Sequence, residues 1–243
     1  GSTPMTPLSL VFSFQIAQIS GDPHFVGFRG QRYDFHGYAG KVFNIITDRG
    51  IHVNSLFVDA DLRQHKRKTY MGAIAIKVCH PMEGELRFLF SCNRGDSDEE
   101  VSLLFQNGTK IHIKPHKVLD FGNPLHLKRS GLNNSKTVVT SVYGYKFQFR
   151  LSSSKHSTCH VNIRSKYIHR FDPYPHGVLG QTTTSPPNVV GIGRNSLNVV
   201  EGKVEDYIEK GLFSHSTKHS LYELTCLPVL HVMDATGMSG WAE

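Results

Sequence analysis

The residues best placed to do chemistry stand near the start of the chain, at Gly21-Asp22-Pro23-His24. An Asp-Pro peptide bond is chemically weak, because the aspartate carboxylate can attack its own carbonyl while the prolyl nitrogen leaves readily. A fold that strains this turn and offers His24 as proton donor would make Asp22–Pro23 cleavage self-catalysed. The same four residues also form an ordinary proline-preset turn opening a strand. A second cluster, Arg63, His65, Lys66, Arg67 and Lys68, is the densest positive charge in the chain. It suits a polyanion, and it equally suits a solvated loop, since no aromatic residue interleaves it. Other arrangements carry less. There is no GxSxG, HExxH, GxxxxGK or strand-borne GxGxxG motif, and the acidic run Asp96, Asp98, Glu99 and Glu100 reads as a solvated turn. The pairs His112/His116 and His156/His160 fall in or beside predicted strands, where i, i+4 spacing holds two imidazoles too far apart to share a metal. The expectation is a non-enzymatic chain with no metal site and no cofactor.

Four cysteines, Cys79, Cys92, Cys159 and Cys226, are too sparse for a disulfide-only scaffold, and none forms CxxC, which argues against zinc ribbons and thioredoxin-like redox chemistry. The triplets beginning at Asn107 and Asn133 are N-glycosylation sequons. Both features lean toward a secretory compartment.

The elements that must position these residues are strands. Period-two or β-branched segments recur at short intervals over 41–47, 51–58, 73–79, 86–91, 101–105, 110–113, 137–142, 146–151 and 159–164, separated by turn residues. Asn107-Gly108 between two such runs predicts a hairpin. Residues 8–20 read as a first strand or as the remnant of a targeting segment, and Gly1-Ser2 resembles a tag scar. Only 204–213 has helical spacing, with Val204, Tyr207, Ile208 and Leu212 on one face. Residues 182–195 read as a long loop and 227–243 as a tail. The predicted fold is mainly β, an antiparallel β-sandwich with a short C-terminal helix.

Composition is consistent with that. Of 243 residues 39% are hydrophobic and 19% charged, with 15 Phe and 9 Tyr, enough apolar side chain to close a core. The longest apolar run, 8–19, is interrupted by polar residues and falls short of a membrane-spanning helix. The formal charge is +7 with 15 histidines neutral. Such a surface fits polyanions of several kinds.

The order of motifs adds a family. Gly21-Asp22-Pro23-His24-Phe25, then Gly30, then Tyr33-Asp34-Phe35-His36-Gly37 resembles the opening of a von Willebrand factor type D domain. His176-Gly177-Val178-Leu179-Gly180-Gln181 is similar to the turn that closes such domains, and closer to the HGLLGQ form in the C-terminal region of inter-alpha-trypsin inhibitor heavy chains; GVLGQT is also similar to plant root-cap proteins. Segments 67–72 and 202–207 look like heavy-chain segments too. The resemblance covers about residues 21–226 and implies a domain over that range, flanked by 1–20 and 227–243.

It implies an extracellular interaction or adhesion module, with an acidic glycan or extracellular protein as partner, self-association left open, and neither nucleic acid nor a membrane span expected. It also implies a second role, cleavage at Asp22–Pro23 or esterification of the freed Asp22 carboxyl to a glycan. A lectin or hydrolase with an unrecognised site is a third alternative. Where calcium-binding relatives carry an Asp, Arg29 stands here, so no calcium is expected. Ala39 and Leu179 occupy positions where relatives have Cys, which suggests apolar packing in place of a bridge. Of the three pairings that four cysteines allow, 79–92 across a predicted hairpin at Glu83-Gly84 with 159–226 around the closing turn is the one expected, and all four would be reduced in a cytosolic chain; the Gly21–His24 turn is expected to tuck against His176–Gln181.

Overall fold

The computed structural model describes residues 14–60, 68–80, 83–92, 99–122, 125–130, 136–140, 144–154, 157–168, 175–191, 195 and 198–215. Side chains at 14, 99, 136–140, 153–154, 157–158 and 168 are not described. Of the residues singled out from the sequence, Arg63, His65, Lys66, Arg67, Asp96, Asp98, Asn133, His156, Cys226 and the tail 227–243 lie outside the described residues.

The strands are β1 (Phe14–Ser20), β2 (His24–Val26), β3 (Arg32–Asp34), β4 (Val42–Asp48), β5 (Ile51–Asp59), β6 (Thr69–His80), β7 (Gly84–Cys92) and β8 (Glu99–Phe105). They continue with β9 (Lys110–His112), β10 (Val118–Asp120), β11 (His126–Arg129), β12 (Lys136–Thr140), β13 (Tyr145–Ser154), β14 (Ser157–Ile168) and β15 (Ile208–Glu209). Every pairing within the two sheets is antiparallel. The larger sheet runs β10-β11-β12-β13-β14-β1-β2-β3 and the smaller β15-β4-β5-β6-β7-β8-β9. β1 is therefore an interior strand, paired to β14 on one side and β2 on the other.

The layers meet through the inward residues of each strand. Phe147, Phe149, Val161 and Ile163 from the larger sheet join Ile74, Ile76, Phe88 and Phe90 from the smaller in one buried cluster, with Phe90 stacked on Phe149 at 4.1 Å between ring centroids. Aromatic rings held this close contribute more than their buried area alone. The Asn107-Gly108 hairpin forms between β8 and β9, with the Asn107 side chain accepting from the Thr109 amide.

The two sheets differ in how their outer faces are treated. β13 and β14 alternate buried and exposed residues, as a sheet with one face in water should. β6 is buried on nearly every residue and β5 on its first five in a row, on both faces. Part of the cover is the segment 208–215: Asn54 on β5 donates to the carbonyls of Leu212 (3.1 Å) and Ser214 (2.7 Å), and the rings of His52 and His215 meet at 5.3 Å.

Two expectations are corrected here. The helix over 204–213 reduces to one 3-10 turn, Val204–Tyr207, followed at once by β15, which pairs with the edge of β4. Its apolar spacing reflects Val204 and Tyr207 entering the core while the next residues extend. The disulfides are also paired differently. Cys92 bonds Cys159, joining the end of β7 to β14 and so stapling the sheets together. Cys79 is disulfide-bonded as well. A 79–92 bridge is excluded by register: β6 and β7 pair Cys79 with Glu85 and Ala73 with Ser91. Cys92 thus lies seven residues farther along, about 23 Å at ~3.3 Å per residue, far beyond the ~7 Å that a disulfide spans.

Candidate functional site

The chemistry-bearing turn, Gly21–Pro23, joins β1 to β2, whose register sets Ser20 opposite His24, and the β2–β3 hairpin brings its further partners. The β2–β3 register pairs His24 with Asp34, Phe25 with Tyr33 and Val26 with Arg32, so two further steps of the same register, past Pro23 and Phe35, set Asp22 against His36. His36 Nδ1 lies 3.0 Å from Asp22 Oδ1, and Lys68 Nζ is 2.6 Å from Asp22 Oδ2. The carboxylate and the imidazole are largely buried, whereas half of the Lys68 side chain remains in water. Thr69, next to Lys68, donates its hydroxyl proton to the His36 carbonyl and so fastens the start of β6 beside the turn.

The backbone around Asp22–Pro23 is held from both sides. The Gly21 amide donates to Asn162 Oδ1 on β14 (2.9 Å), and the Pro23 carbonyl accepts from the Phe35 amide (3.3 Å). Gly21 takes φ +59°, a left-handed conformation that glycine adopts cheaply. His24, the proton donor named from the sequence, points outward and faces Asp34 at 2.6 Å. The imidazole beside Asp22 is that of His36. His36 is not among the catalytic residues that the sequence suggests, although the hairpin register, extended by two pairs, contains the signal.

The closing motif docks elsewhere on the same hairpin. His176 and Thr47 exchange backbone hydrogen bonds, then the amides of Val178 and Leu179 donate to the carbonyls of Asn44 and Ile45. β4 has a bulge between Asn44 and Ile46, which turns those carbonyls toward the strap. Gly177 is required there: its φ is +92° and a Cβ would stand 2.6 Å from the Ile45 carbonyl oxygen. Tyr33 then donates its hydroxyl to the Val178 carbonyl (2.6 Å), Thr182 Oγ1 accepts from the Phe28 amide (2.9 Å), and the Gln31 amide group donates to the carbonyls of Thr182 (3.0 Å) and Ser185 (3.1 Å).

The segment that meets the closing motif is therefore 28–33, not the Gly21–His24 turn expected to do so. The turn's own partners include Asn162, Asp34, Phe35, His36 and Lys68. Gln31 and Gln181 are the polar keys of this junction. Gln181 donates to the Tyr207 hydroxyl (2.7 Å) and accepts from the Glu201 amide (2.8 Å), tying in the late segment as well. Burial pushes the phenols of Tyr33 and Tyr207 well above the ordinary range, keeping both neutral donors.

Arg29 donates to the carbonyls of Thr184 (3.3 Å) and Ser185 (3.2 Å). A guanidinium thus engages main-chain oxygens in the loop where the family resemblance would put calcium ligands. Leu179 is fully buried but Ala39 is exposed, so the apolar packing expected at both positions occurs at only one. Beside the strap a half-open cleft of about 560 Å³ is lined in part by His176, Gln181, Thr184, Ser185 and Glu201.

Among the described residues no group of three His, Cys, Asp or Glu side chains could hold a metal ion, and no helix is long and apolar enough to cross a membrane. Asn107 is exposed on its hairpin. No protein-family model matches the chain, and no curated protein matches it.

Proposed function

We propose that this chain is a non-enzymatic extracellular interaction module of the von Willebrand type D kind, a rigid β-sandwich that binds acidic glycan or an extracellular protein through its surface. The observation that carries the reading is the lock between 28–33 and 178–185, because it joins in space the two stretches whose motifs resemble the beginning and end of that family. The Cys92–Cys159 staple between the layers supports a secretory setting, since such bonds persist in oxidising compartments. Binding to a panel of sulfated and carboxylated glycosaminoglycans, at low and at physiological salt, tests the glycan arm. Affinity that falls steeply as salt rises is expected, and no affinity for any member at low salt overturns that arm.

The Asp22 constellation favours a second reading, self-processing at Asp22–Pro23. An Asp22 carboxylate oxygen would attack the carbonyl carbon of its own residue; the bond to the Pro23 nitrogen breaks, and that nitrogen takes a proton. The products are a cyclic anhydride at residue 22 and a new prolyl N-terminus, and water or a sugar hydroxyl opens the anhydride to an acid or an ester. His36, 3.0 Å from Asp22 Oδ1, is the nearest imidazole to that carboxylate among the described residues, in addition to the His24 that the sequence suggested. Intact mass after incubation at mildly acidic and neutral pH tests it. Fragments ending at residue 22 that persist unchanged in Asp22→Ala would rule self-processing out.

A further inference from the structure

The five adjacent strands β11, β12, β13, β14 and β1 contain no aspartate or glutamate. Their exposed, outward residues include Lys128, Lys146, Arg150, Arg164 and Lys166. The register aligns these cations in rows across the strands. Lys146 stands directly opposite Lys166, while Arg164 lies between Gln18 and Gln148. Like charges set opposite one another in an antiparallel pair are destabilising, so the fold carries a local cost here that packing does not explain. The same face holds a shallow trough of about 210 Å³, walled by Arg150 and Arg164 and lined between them by the amides of Gln18, Gln148 and Asn162.

We infer that this open face of the larger sheet is a docking surface for a sulfated or carboxylated polysaccharide, with Arg150, Arg164, Lys146 and Lys166 meeting the anionic groups and Gln18, Gln148 and Asn162 meeting hydroxyls. The inference rests on the glycan-binding reading above and gives it a place on the molecule. Charge complementarity selects a polyanion, and the chemistry of the trough selects its class. The Gln18 and Gln148 amides each offer two donors and an acceptor oxygen, the pairing that sugar hydroxyls use, and Asn162, whose Oδ1 accepts from the Gly21 amide, offers its two donors. The aromatic rings of β13 and β14, Tyr145, Phe147, Phe149 and Tyr167, all point into the core, so among the described residues these two central strands offer no Phe or Tyr platform on which nucleobases could stack. Arginine at the trough walls suits the planar, forked recognition of sulfate and carboxylate oxygens.

The basic face was hidden in the sequence because its members come from strands as far apart as Gln18 and Arg164, which the register makes neighbours. The basic cluster at 63–68, by contrast, is contiguous in sequence, and its one described member, Lys68, is engaged with Asp22.

The test measures affinity of the intact protein for a sulfated glycosaminoglycan octasaccharide, its desulfated counterpart and a single-stranded DNA of matched charge. The variants are Lys146→Gln, Arg164→Gln and the pair Arg164→Glu with Lys166→Glu. Wild type is expected to bind the sulfated octasaccharide, the double variant to lose about tenfold or more, and the salt dependence to become shallower. Lys146→Gln should weaken binding while holding or raising the thermal midpoint by about 1–3 °C, since it removes the lysine opposition. Wild-type binding that the double variant retains in full overturns the placement and leaves the glycan reading standing. Absence of wild-type binding to any acidic glycan overturns both. DNA bound as tightly as the sulfated octasaccharide overturns the choice of polysaccharide. A midpoint lowered by several degrees in Lys146→Gln shows the face to be structural and likewise overturns the proposal.

Discussion

The hydroxyl of Tyr33 donates to the carbonyl of Val178 at 2.6 Å, a buried bond across 145 residues of sequence that pins the first hairpin to the strap along β4. Burial is the main cause that raises the phenol, and the neighbouring Tyr207 phenol adds to it. A group whose folded value is raised contributes stability that is present below its unfolded value, near 10 for tyrosine, and lost as pH rises above it. The protein should therefore lose stability above about pH 10, with Tyr33 and Tyr207 ionising only on unfolding. Phenolate absorbance followed against a folding signal checks this. Tyr33→Phe should flatten the alkaline limb, and coincident curves for wild type and variant would contradict it.

Phe35 is fully buried and meets the rings of Phe25, Phe43, Phe57 and Tyr207 edge-on at 5.3–6.3 Å. Truncation to alanine should cost about 3–5 kcal/mol in denaturant unfolding. A loss well under 1 kcal/mol would mean that the hairpin is not anchored by this side chain.

Gly177→Ala should destabilise by at least about 1–3 kcal/mol from backbone strain alone, because the added Cβ also meets the Ile45 carbonyl, which is backbone and cannot swing away. Gly108→Ala is the comparison: its φ is +86° but nothing lies within 4 Å of the new carbon. The first variant should unfold at clearly lower denaturant than the second, and equal midpoints would show that the strap does not need this close approach.

Cys92 and Cys159 close a loop with a sequence separation of 67. In the chain-entropy view such a bridge stabilises by about 4 kcal/mol, so replacing both cysteines by serine should lower stability by several kcal/mol. Peptide mapping without reduction should recover the 92–159 linked peptide, and recovery of a 79–92 peptide instead would refute the register given above.

Glu85 sits between Lys77 Nζ (3.2 Å) and the Arg87 guanidinium (2.5 Å). Burial works to raise its carboxyl, but the Arg87 hydrogen bond and the Lys77 charge outweigh it and leave the group below the usual carboxylate range. A lowered folded value gives stability that is present above the unfolded value, about 4.3, and lost as pH falls through the folded one. Acid unfolding below about pH 4 should be shallower in Glu85→Gln than in wild type, and identical acid limbs would show that this carboxylate contributes no proton linkage.

Alternation and turn chemistry are local, and they sufficed for the nine predicted strands, all of which appear within a few residues of their expected bounds, and for the Asn107-Gly108 hairpin. The short strands β10, β11 and β15 escape sequence reading because two to four residues hold too little periodicity to register. Val204–Tyr207 was overread for the opposite reason, since two inward residues three apart satisfy helical spacing whether or not the chain continues as a helix.

The amino-acid order by itself determined a β-rich chain with an Asp-Pro turn and an excess of positive charge. Only the tertiary structure decided that Asp22 meets His36 and Lys68, that Cys92 reaches Cys159, and that Lys146 faces Lys166. Strand formation depends on neighbours along the chain, whereas register and sheet order depend on which distant strands bury their apolar faces together, and that choice is made by the whole core at once.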